Sequence, residues 1–468
     1  MELKESAADL TMHGLGKIAS STSKTMKFLW INLMTFSLGT LIFFFQKMTV
    51  EYLAHGTLTN HQTIIKSKIP FPAITVCGPT VSKAKMQKFF KESNKTFPFD
   101  MDSLHLGLGR YFNSEKILHQ LETRENFQKV IPDEDSFLLK KLYGSCQQGL
   151  IRRCNFTTDV EKILQIYKGY CYKFNPKGSF IQARHGRDEA ISIILFLNVS
   201  DFLPWPQYDS GESVDVFVND YKEFPFVYTG PVLAPVGHIT QIEIRKSELK
   251  RKKAPYSSDC TDGENIKLYF DGVYSVINCQ YSCFLSKISQ QCKTHDFYTN
   301  MILPKDKRKP FFSFPPTDFC VQKVYEKLLE ENYASCNCKL PCNEVKYDKT
   351  VSYSKWPSDA DIPIYKQLFS KALDLNASEV TDDFVRRNFL RIDVYYGDMM
   401  YRMITEEESY SFGKLIGDIG GYMGLLVGAS VFSLLELIVF LIQAVHFATK
   451  RNKTNDVKAI AITVDELS

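Results

Sequence analysis

Two long apolar runs stand near opposite ends of the chain, and between them apolar and polar positions alternate over much shorter distances. The first run, residues 28–45, has no charged residue, and with Gln46 it can just cross a bilayer at about 1.5 Å per residue. The second run, residues 422–447, carries one charged residue, Glu436, in its interior. The pattern predicts two membrane-spanning helices.

A secretory signal peptide is the alternative interpretation of the first run. The run starts late and is long, it is followed by Lys47, and no small-x-small cleavage site comes after it. These features favour a span. A buried helix of a soluble protein is the alternative for the second run, but such helices rarely extend over the whole of residues 422–447.

Charged residues beside the two runs predict their orientation. Basic residues precede the first run (Lys17, Lys24 and Lys27) and follow the second (Lys450, Arg451 and Lys453). Three consecutive acids, Glu406, Glu407 and Glu408, precede the second run. By the positive-inside rule, both termini are cytosolic. The predicted division is a cytosolic N-terminus (1–27), a first span (28–46), an extracellular domain (47–415), a second span (416–447) and a cytosolic tail (448–468).

The cysteines support an extracellular middle. Eleven of the 12 cysteines lie between Cys146 and Cys342, and Cys77 lies upstream. This confinement predicts an oxidising compartment for the middle of the chain only. Four glycosylation sequons agree with it, at Asn94, Asn155, Asn198 and Asn376, whereas a fifth at Asn452 should stay unused in a cytosolic tail. The chain is therefore expected to be a glycosylated multi-pass protein of the plasma membrane.

The body between the runs has no internal repeat or flexible linker, so one large domain of mixed α+β structure is expected. The whole chain has 57 basic and 53 acidic residues, a net charge of +4, and no long basic run, so nucleic acid is not an expected partner. Alternating or continuously apolar stretches predict strands at 190–199, 213–218 and 238–245. Helical periodicity predicts helices at 114–125, 321–331 and 364–373.

The densest cysteine region runs from Cys260 to Cys342. Within it, Cys279 and Cys283 lie one helical turn apart and face the same way, which predicts a helix fastened by a ladder of bridges to a returning strand. Zinc is the competing interpretation. It is disfavoured because no Cys-x-x-Cys pair is present and the compartment is oxidising.

Several separate stretches, in order along almost the whole chain, resemble the degenerin, epithelial sodium channel and acid-sensing channel superfamily. They are His13-Gly14, Phe71-Pro72-Ala73-Ile74-Thr75-Val76-Cys77, the cysteine array, Gly417-Asp418-Ile419-Gly420-Gly421, Gly428-Ala429-Ser430 and Leu434-Leu435-Glu436-Leu437. The resemblance implies a trimer, homomeric or built with related subunits. Each subunit would have two transmembrane helices and a disulfide-rich α+β ectodomain shaped like a clenched hand, with palm, knuckle, finger, thumb and β-ball. Lipid would surround the spans.

The resemblance also implies how the cysteines pair. The expected bridges are Cys77–Cys171, Cys146–Cys154, Cys260–Cys342, Cys279–Cys338, Cys283–Cys336 and Cys292–Cys320. Acid-sensing relatives carry a further cysteine where this chain has Thr294. Since the partner of that cysteine is missing too, every cysteine here still has a partner.

The ion pathway is predicted from the second run. A carboxylate inside a span is costly and usually faces water, so Glu436 would form a ring of charge around a threefold axis. A snorkelling glutamate that pairs with Lys450 is the alternative. Asp418 would concentrate cations at the outer mouth, or else act as a helix-capping acid. Gly428, Ala429 and Ser430 suit close helix packing, and the resemblance makes them the selectivity filter for sodium.

Gating residues are expected from the resemblance alone. His13 and Gly14 match the cytosolic gating pair of the family, and Gly417 matches the position where bulky side chains hold the gate open. The expected function is therefore an amiloride-sensitive, sodium-selective cation channel, with Na⁺ as the permeant ion, no cofactor and no metal site.

The stimulus is less constrained by the sequence. Where proton-gated relatives carry titratable residues, this chain has Gly56, Thr57 and Gln62 after the first span, and Gln322 in place of one of two thumb acids, with Glu326 retained. Loss of titratable groups disfavours gating by protons. Short channels gated by neuropeptides are closest in kind, with protons, force or constitutive opening as the alternatives.

Three other classes of protein compete with this interpretation. ATP-gated trimers share two spans but would need a cluster of phosphate-binding lysines. If the chain were a two-span scavenger or adhesion receptor, Glu436 and the Gly-Ala-Ser triplet would have no role and would be present by accident. An ectoenzyme is disfavoured because no HExxH, G-x-S-x-G, P-loop or dinucleotide motif is present.

Overall fold

A computed structural model describes most of the chain between residues 17 and 445. The described residues are 17–18, 21–78, 81–92, 124–142, 144–149, 152–165, 169–203, 211–223, 230–270, 273–296, 309, 311–312, 319–428, 430, 432–433, 435–436, 438–439, 441–442 and 445. Backbone contacts divide the chain into two units. We call them the helical unit (1–58, 255–257 and 406–468) and the body (59–254 and 258–405).

The described helices of four or more residues are α1 (Lys24–Leu53), α2 (Lys83–Glu92), α3 (Arg124–Val130), α4 (Glu134–Phe137), α5 (Val276–Gln291), α6 (Phe319–Glu330), α7 (Ile362–Leu373), α8 (Asp382–Asn388) and α9 (Phe412–Val427). The strands are β1 (Thr57–Ile65), β2 (Ile69–Pro70), β3 (Ala73–Cys77), β4 (Val81–Ser82), β5 (Cys146–Gln148), β6 (Arg152–Arg153), β7 (Val160–Gln165), β8 (Gly169–Phe174), β9 (Ile181–Gln182), β10 (Ile191–Phe196), β11 (Phe202–Leu203), β12 (Ser213–Asn219), β13 (Val232–Pro235), β14 (His238–Lys250), β15 (His295–Asp296), β16 (Phe311–Phe312), β17 (Asn343–Lys355), β18 (Phe389–Tyr396) and β19 (Met400–Glu408).

The helical unit contains α1 and α9. Within the part of the chain that the structure describes, α1 is the one helix long and apolar enough to cross a membrane, judged by length and composition. It encloses the first predicted span. Helix α9 begins at Phe412, before the second apolar run, and ends inside it at Val427. The second span therefore stays a prediction. The rings of Phe44 and Tyr422 stack between the two helices, with centroids 4.4 Å apart.

Two sheets form the centre of the body. The larger has eight strands in the order β1-β19-β14-β18-β10-β5-β6, with β17 pairing β14 as well. The second has five strands in the order β13-β12-β3-β8-β7. Strands β10, β12 and β14 coincide with the predicted strands at 190–199, 213–218 and 238–245. One core joins the two sheets, because buried residues of both, such as Val76, Val216, Ile193 and Ile392, belong to one cluster.

The Phe-Pro-Ala-Ile-Thr run is part of this core. Strand β3 is buried along its whole length between β12 and β8. The buried side chain of Asn175 donates to the carbonyl oxygens of Phe71 (2.9 Å) and Pro72 (3.1 Å). Because it satisfies two backbone acceptors that no strand reaches, Asn175 fixes the turn into β3. The motif is thus structural in the described chain.

All twelve cysteines form disulfides, and the six pairs are those that the resemblance implies: Cys77–Cys171, Cys146–Cys154, Cys260–Cys342, Cys279–Cys338, Cys283–Cys336 and Cys292–Cys320. Helix α5 carries Cys279 and Cys283 as predicted. The returning segment is not a strand, however: Cys336 closes a 3₁₀ turn at Ala334–Cys336, where Tyr333 and Asn337 adopt left-handed conformations. A tight turn lets Cys336 and Cys338 reach successive turns of α5.

The remaining predicted elements have mixed outcomes. Helices α6 and α7 contain the predicted helices 321–331 and 364–373 to within a residue or two at each end. The predicted helix 114–125 lies outside the described residues except for its last two, which begin α3. Strand β17 was not predicted, although it pairs along all thirteen of its residues with β14.

Candidate functional site

The first part of the site is the start of helix α9, which Ser411 caps. Its backbone is extended, and its hydroxyl oxygen accepts a hydrogen bond from the Lys414 N–H at 3.2 Å. A capped start gives the helix a defined first residue, Phe412, and a defined direction. The acidic residue of the predicted outer mouth, Asp418, follows in the second turn.

Asp418 has a partner close by. The hydroxyl of Tyr410 donates a hydrogen bond of 2.7 Å to Asp418 Oδ2, so the carboxylate fastens the helix to the residue before its cap. Asp418 is half-buried in the single chain. Burial, this hydrogen bond and the carboxylates of Asp418 and Glu51 raise the pKa of Tyr410 to about 12, so the hydroxyl stays a donor at neutral pH. Because Ser411 caps the helix and Asp418 lies in its second turn, the alternative of a helix-capping acid is wrong, and the role at an outer mouth stays a prediction.

The helix ends at Gly428, the first residue of the predicted filter. Gly428 has φ 63° and ψ 27°, a left-handed conformation that glycine adopts without strain. Its N–H donates to the carbonyl oxygen of Gly424 at 3.0 Å, which is the usual way of closing a helix C-terminus. The second apolar run is therefore interrupted by a helix break, and a helix-breaking glycine within an apolar segment is a costly feature.

Helical structure resumes after the break. Ser430 and Ser433 exchange hydrogen bonds: the Ser430 N–H donates to Ser433 Oγ and the Ser433 N–H donates to Ser430 Oγ, both at 3.2 Å. The described residues between 432 and 445 are helical again. The half-buried Glu436 lies one turn after this restart. Ala429, the middle residue of the triplet, and the cytosolic pair His13 and Gly14 lie outside the described residues.

One face of α9 consists of glycines. A Cβ atom built at Gly417, Gly420, Gly421 or Gly424 would meet nothing within 4 Å in the described chain. The space beside Gly417 is therefore open to a Cβ atom in the described chain.

The second part of the site is the segment between α1 and β1, where sequence reasoning selected Gly56 and missed His55. His55 has φ 48° and packs edge-to-face against Tyr256, with ring centroids 5.6 Å apart. A side-chain hydrogen bond to Glu408 is the main cause that raises the pKa of Tyr256, which makes Tyr256 the donor to that carboxylate. Tyr256 lies in the short segment 255–257, which is part of the helical unit although the residues on either side of it belong to the body.

Gly56 completes this junction. Its carbonyl oxygen accepts a hydrogen bond of 2.9 Å from the Ser409 N–H, and a Cβ at Gly56 would lie 2.6 Å from Ser409 Oγ. The chain leaving α1 therefore touches the chain that enters α9. Where proton-gated relatives would place a titratable group, this chain has Gly56, and its histidine stands one position earlier. A histidine alone gives no signal, because its partner Tyr256 is two hundred residues away in sequence.

The predicted thumb pair lies on helix α6. The Gln322 amide donates to Glu326 Oε1 at 2.8 Å, one turn along the helix. The bond uses an amide N–H, and Gln322 does not titrate. This exposed helix face therefore carries one titratable group where two acids would have competed for a proton.

Three of the predicted glycosylation sites are described, and all three are exposed: Asn155, Asn198 and Asn376. At Asn198 the sequon hydroxyl of Ser200 donates to the asparagine side-chain oxygen at 2.8 Å. Asn94 lies outside the described residues. Exposure leaves room for a glycan at each described site.

Comparison with known proteins gives a consistent result. A family model described as amiloride-sensitive sodium channel matches residues 7–440. Degenerin del-1 of Caenorhabditis elegans is 29% identical over 321 residues, which cover 66% of this chain and 46% of the relative. Degenerin mec-10 of Caenorhabditis briggsae is 24% identical over 370 residues, covering 75% and 48%. Acid-sensing ion channel 1A of Danio rerio is 24% identical over 456 residues, covering 93% and 87%.

The chain thus spans about half the length of the two degenerins and most of the acid-sensing channel. The family match includes α1, the body, α9 and the helix break at Gly428. It extends over far more than half of the sequence. On this ground the chain belongs to the amiloride-sensitive sodium channel family.

Proposed function

We propose that the chain is a subunit of a sodium-selective, amiloride-sensitive channel of the plasma membrane, opened from outside by a short neuropeptide. The observation that carries the proposal is the helix break at Gly428 within the second apolar run. Membrane helices rarely interrupt their own hydrogen bonding, and where they do, the freed backbone groups usually line a cavity. A break that begins at the Gly-Ala-Ser triplet therefore supports an ion-binding constriction there.

Three copies around an axis would bring three such breaks together. Backbone carbonyl oxygens of the triplet then replace part of the hydration shell of Na⁺, as carbonyl rings do in other filters. Asp418 concentrates cations outside this constriction and Glu436 lies on its cytosolic side. The glycine face of α9 gives the helices room to approach one another closely. Both termini are cytosolic and the body is extracellular in this arrangement.

The proposed stimulus follows from the titratable residues that the chain lacks at the positions expected for proton gating. Gln322 stands in place of one of two thumb acids, and Gly56 stands where a titratable residue would be expected after the first span. A proton therefore finds fewer groups whose charge could bias the gate than in acid-sensing relatives. A ligand that binds the large extracellular body remains, and a short amidated peptide is the class that the overall likeness favours.

Voltage clamp of cells that express this chain alone tests the proposal. Acid, amidated RFamide-type peptides and amiloride are applied in turn, and surface protein is measured by biotinylation. A peptide-evoked, amiloride-blocked inward sodium current is expected. A current evoked by acid alone would overturn the stimulus, and His55 would be the first residue to replace.

If the chain reaches the surface but carries no current, a second experiment with a variant is needed. Gly417→Phe is expected to carry standing current without any stimulus. If this variant is silent as well, both alone and with a related family subunit, then the channel function is wrong. Binding of lipid ligands would in that case favour a two-span receptor.

A further inference from the structure

The restart of the helix after the break depends on a residue outside the Gly-Ala-Ser triplet. Ser433 is 2% exposed, and its hydroxyl oxygen accepts the Ser430 N–H at 3.2 Å. In return, Ser430 Oγ accepts the Ser433 N–H at 3.2 Å, and the two hydroxyl oxygens lie 3.3 Å apart. The two serines, three positions apart, thus satisfy each other's backbone donors.

This exchange is a capping box in an unusual form. A capping box pairs an N-cap serine or threonine with a side chain three residues later, usually glutamate or glutamine. Here Ser433 takes the place of the acid. A hydroxyl can do this without placing a second charge beside the ion path, and Glu436 follows only three residues later.

The cap limits the length of the break. The Gly428 N–H closes α9 on Gly424, and the Ser430–Ser433 pair begins the next helix at Ser430. The break therefore starts at Gly428, and the next cap is at Ser430. Without the Ser433 hydroxyl, the Ser430 N–H would lose the partner that it has in the described chain, and an unpaired backbone donor in an apolar segment is costly. The helix would then extend backward or fray, and either change moves the carbonyl oxygens of the triplet.

We propose that Ser433 is a positioning residue for ion selectivity: its hydroxyl fixes where the helix restarts and so where the carbonyl oxygens of the filter stand. The inference rests on the proposed channel function and adds a specificity-determining residue to it. Ser433 itself does not touch the ion in this proposal.

The test uses the standing current of Gly417→Phe as background, because no stimulus is then needed. Reversal potentials under sodium on one side and potassium on the other give the ratio of sodium to potassium permeability. Ser433→Ala is expected to lower this ratio between about two- and tenfold, the range for one lost hydrogen bond. Ser433→Thr keeps the hydroxyl and should restore the ratio to within about twofold.

Ser37→Ala is the matched control, since it makes the same exchange within α1, and it should leave the reversal potential unchanged. If Ser433→Ala reduces only current and surface protein while the permeability ratio stays constant, then Ser433 is merely structural and the inference is wrong. If Ser433→Ala does not reach the surface, Ser433→Cys serves instead, because it keeps the volume and weakens the hydrogen bond. A background variant that passes no amiloride-blocked cation current overturns the channel function, and the inference falls with it.

Discussion

Tyr410 and Asp418 are joined by a 2.7 Å hydrogen bond that spans the capped start of helix α9. The contact ties the residue before the helix cap to an acid in the second turn of the helix. Asp418 therefore has two separable properties, its negative charge and its hydrogen bond to Tyr410. Substitutions can remove one and keep the other.

Asp418→Asn is expected to lower the single-channel sodium conductance because it removes the charge that attracts cations to the outer mouth. The loss should be about twofold at low ionic strength and should shrink at physiological salt, where the Debye length is about 8 Å. Tyr410→Phe is the matched control, since it removes the hydrogen bond and leaves the charge. Equal losses in both variants, independent of salt, would show that Asp418 acts by holding the helix.

The junction of His55 and Tyr256 gives a second prediction. Tyr256→Ala removes both the ring contact with His55 and the hydrogen bond to Glu408, whereas Tyr256→Phe keeps the ring. Tyr256→Ala should raise the stimulus concentration for half-maximal current at least about threefold, and Tyr256→Phe should lie between it and the natural chain.

The standing current of Gly417→Phe separates an effect of Tyr256→Ala on gating from an effect on folding. The current of Gly417→Phe needs no stimulus, so adding Tyr256→Ala should leave its amplitude unchanged per surface subunit. A parallel loss of standing current would mean that Tyr256 supports the folding of the helical unit, and the gating role would be abandoned.

Local patterns were enough for some elements and not for others. The pattern in 213–218 and 238–245 predicted β12 and β14, because alternate apolar residues of each strand lie in the same core. Strand β17 has mostly polar residues and is placed by pairing with β14, to which no local signal points. Its position is a long-range property of the fold.

The candidate site divides in the same way. Gly428 and Ser430 could be selected by resemblance, and the spacing of Ser430 and Ser433 is readable in the sequence. The pair can be recognised as a helix cap only when the break before it is known, and the backbone conformation of Gly428 reveals that break. His55 could not be selected from the sequence, because its contact with Tyr256 joins residues that are far apart along the chain.

Glu223, in the turn after β12, gives a prediction on pH. Burial is the main cause that raises its pKa to about 7; Asp220 and Glu344 add to the shift, while Asn219 and Lys173 oppose it. The folded chain thus holds a proton that the unfolded chain releases above about pH 4.5. This group stabilises the fold less and less as the pH rises from 4.5 to 7, and above 7 its ionised form carries the full penalty.

Glu223→Gln should therefore raise the free energy of unfolding at pH 8 by roughly 1–3 kcal/mol and change it little at pH 5. Thermal unfolding of the purified protein at both pH values measures the difference. Glu330→Gln, at an exposed glutamate on α6, should have no effect at either pH. A stabilisation by Glu223→Gln that is equal at pH 5 and pH 8 would mean that the buried charge is not its cause.

Gly417 offers a test in which bulk is added after folding. All twelve cysteines are in disulfides, so Gly417→Cys supplies the chain's single free thiol. A Cβ at Gly417 meets nothing in the described chain, and Gly417→Cys should fold normally. Modification by a bulky thiol reagent should then raise the sodium current severalfold within seconds, because bulk at this position is expected to hold the gate open. The natural chain, treated in the same way, should not respond. Labelling of the thiol without any change in current would place Gly417 away from the gate and would undo its alignment with the family's gating position.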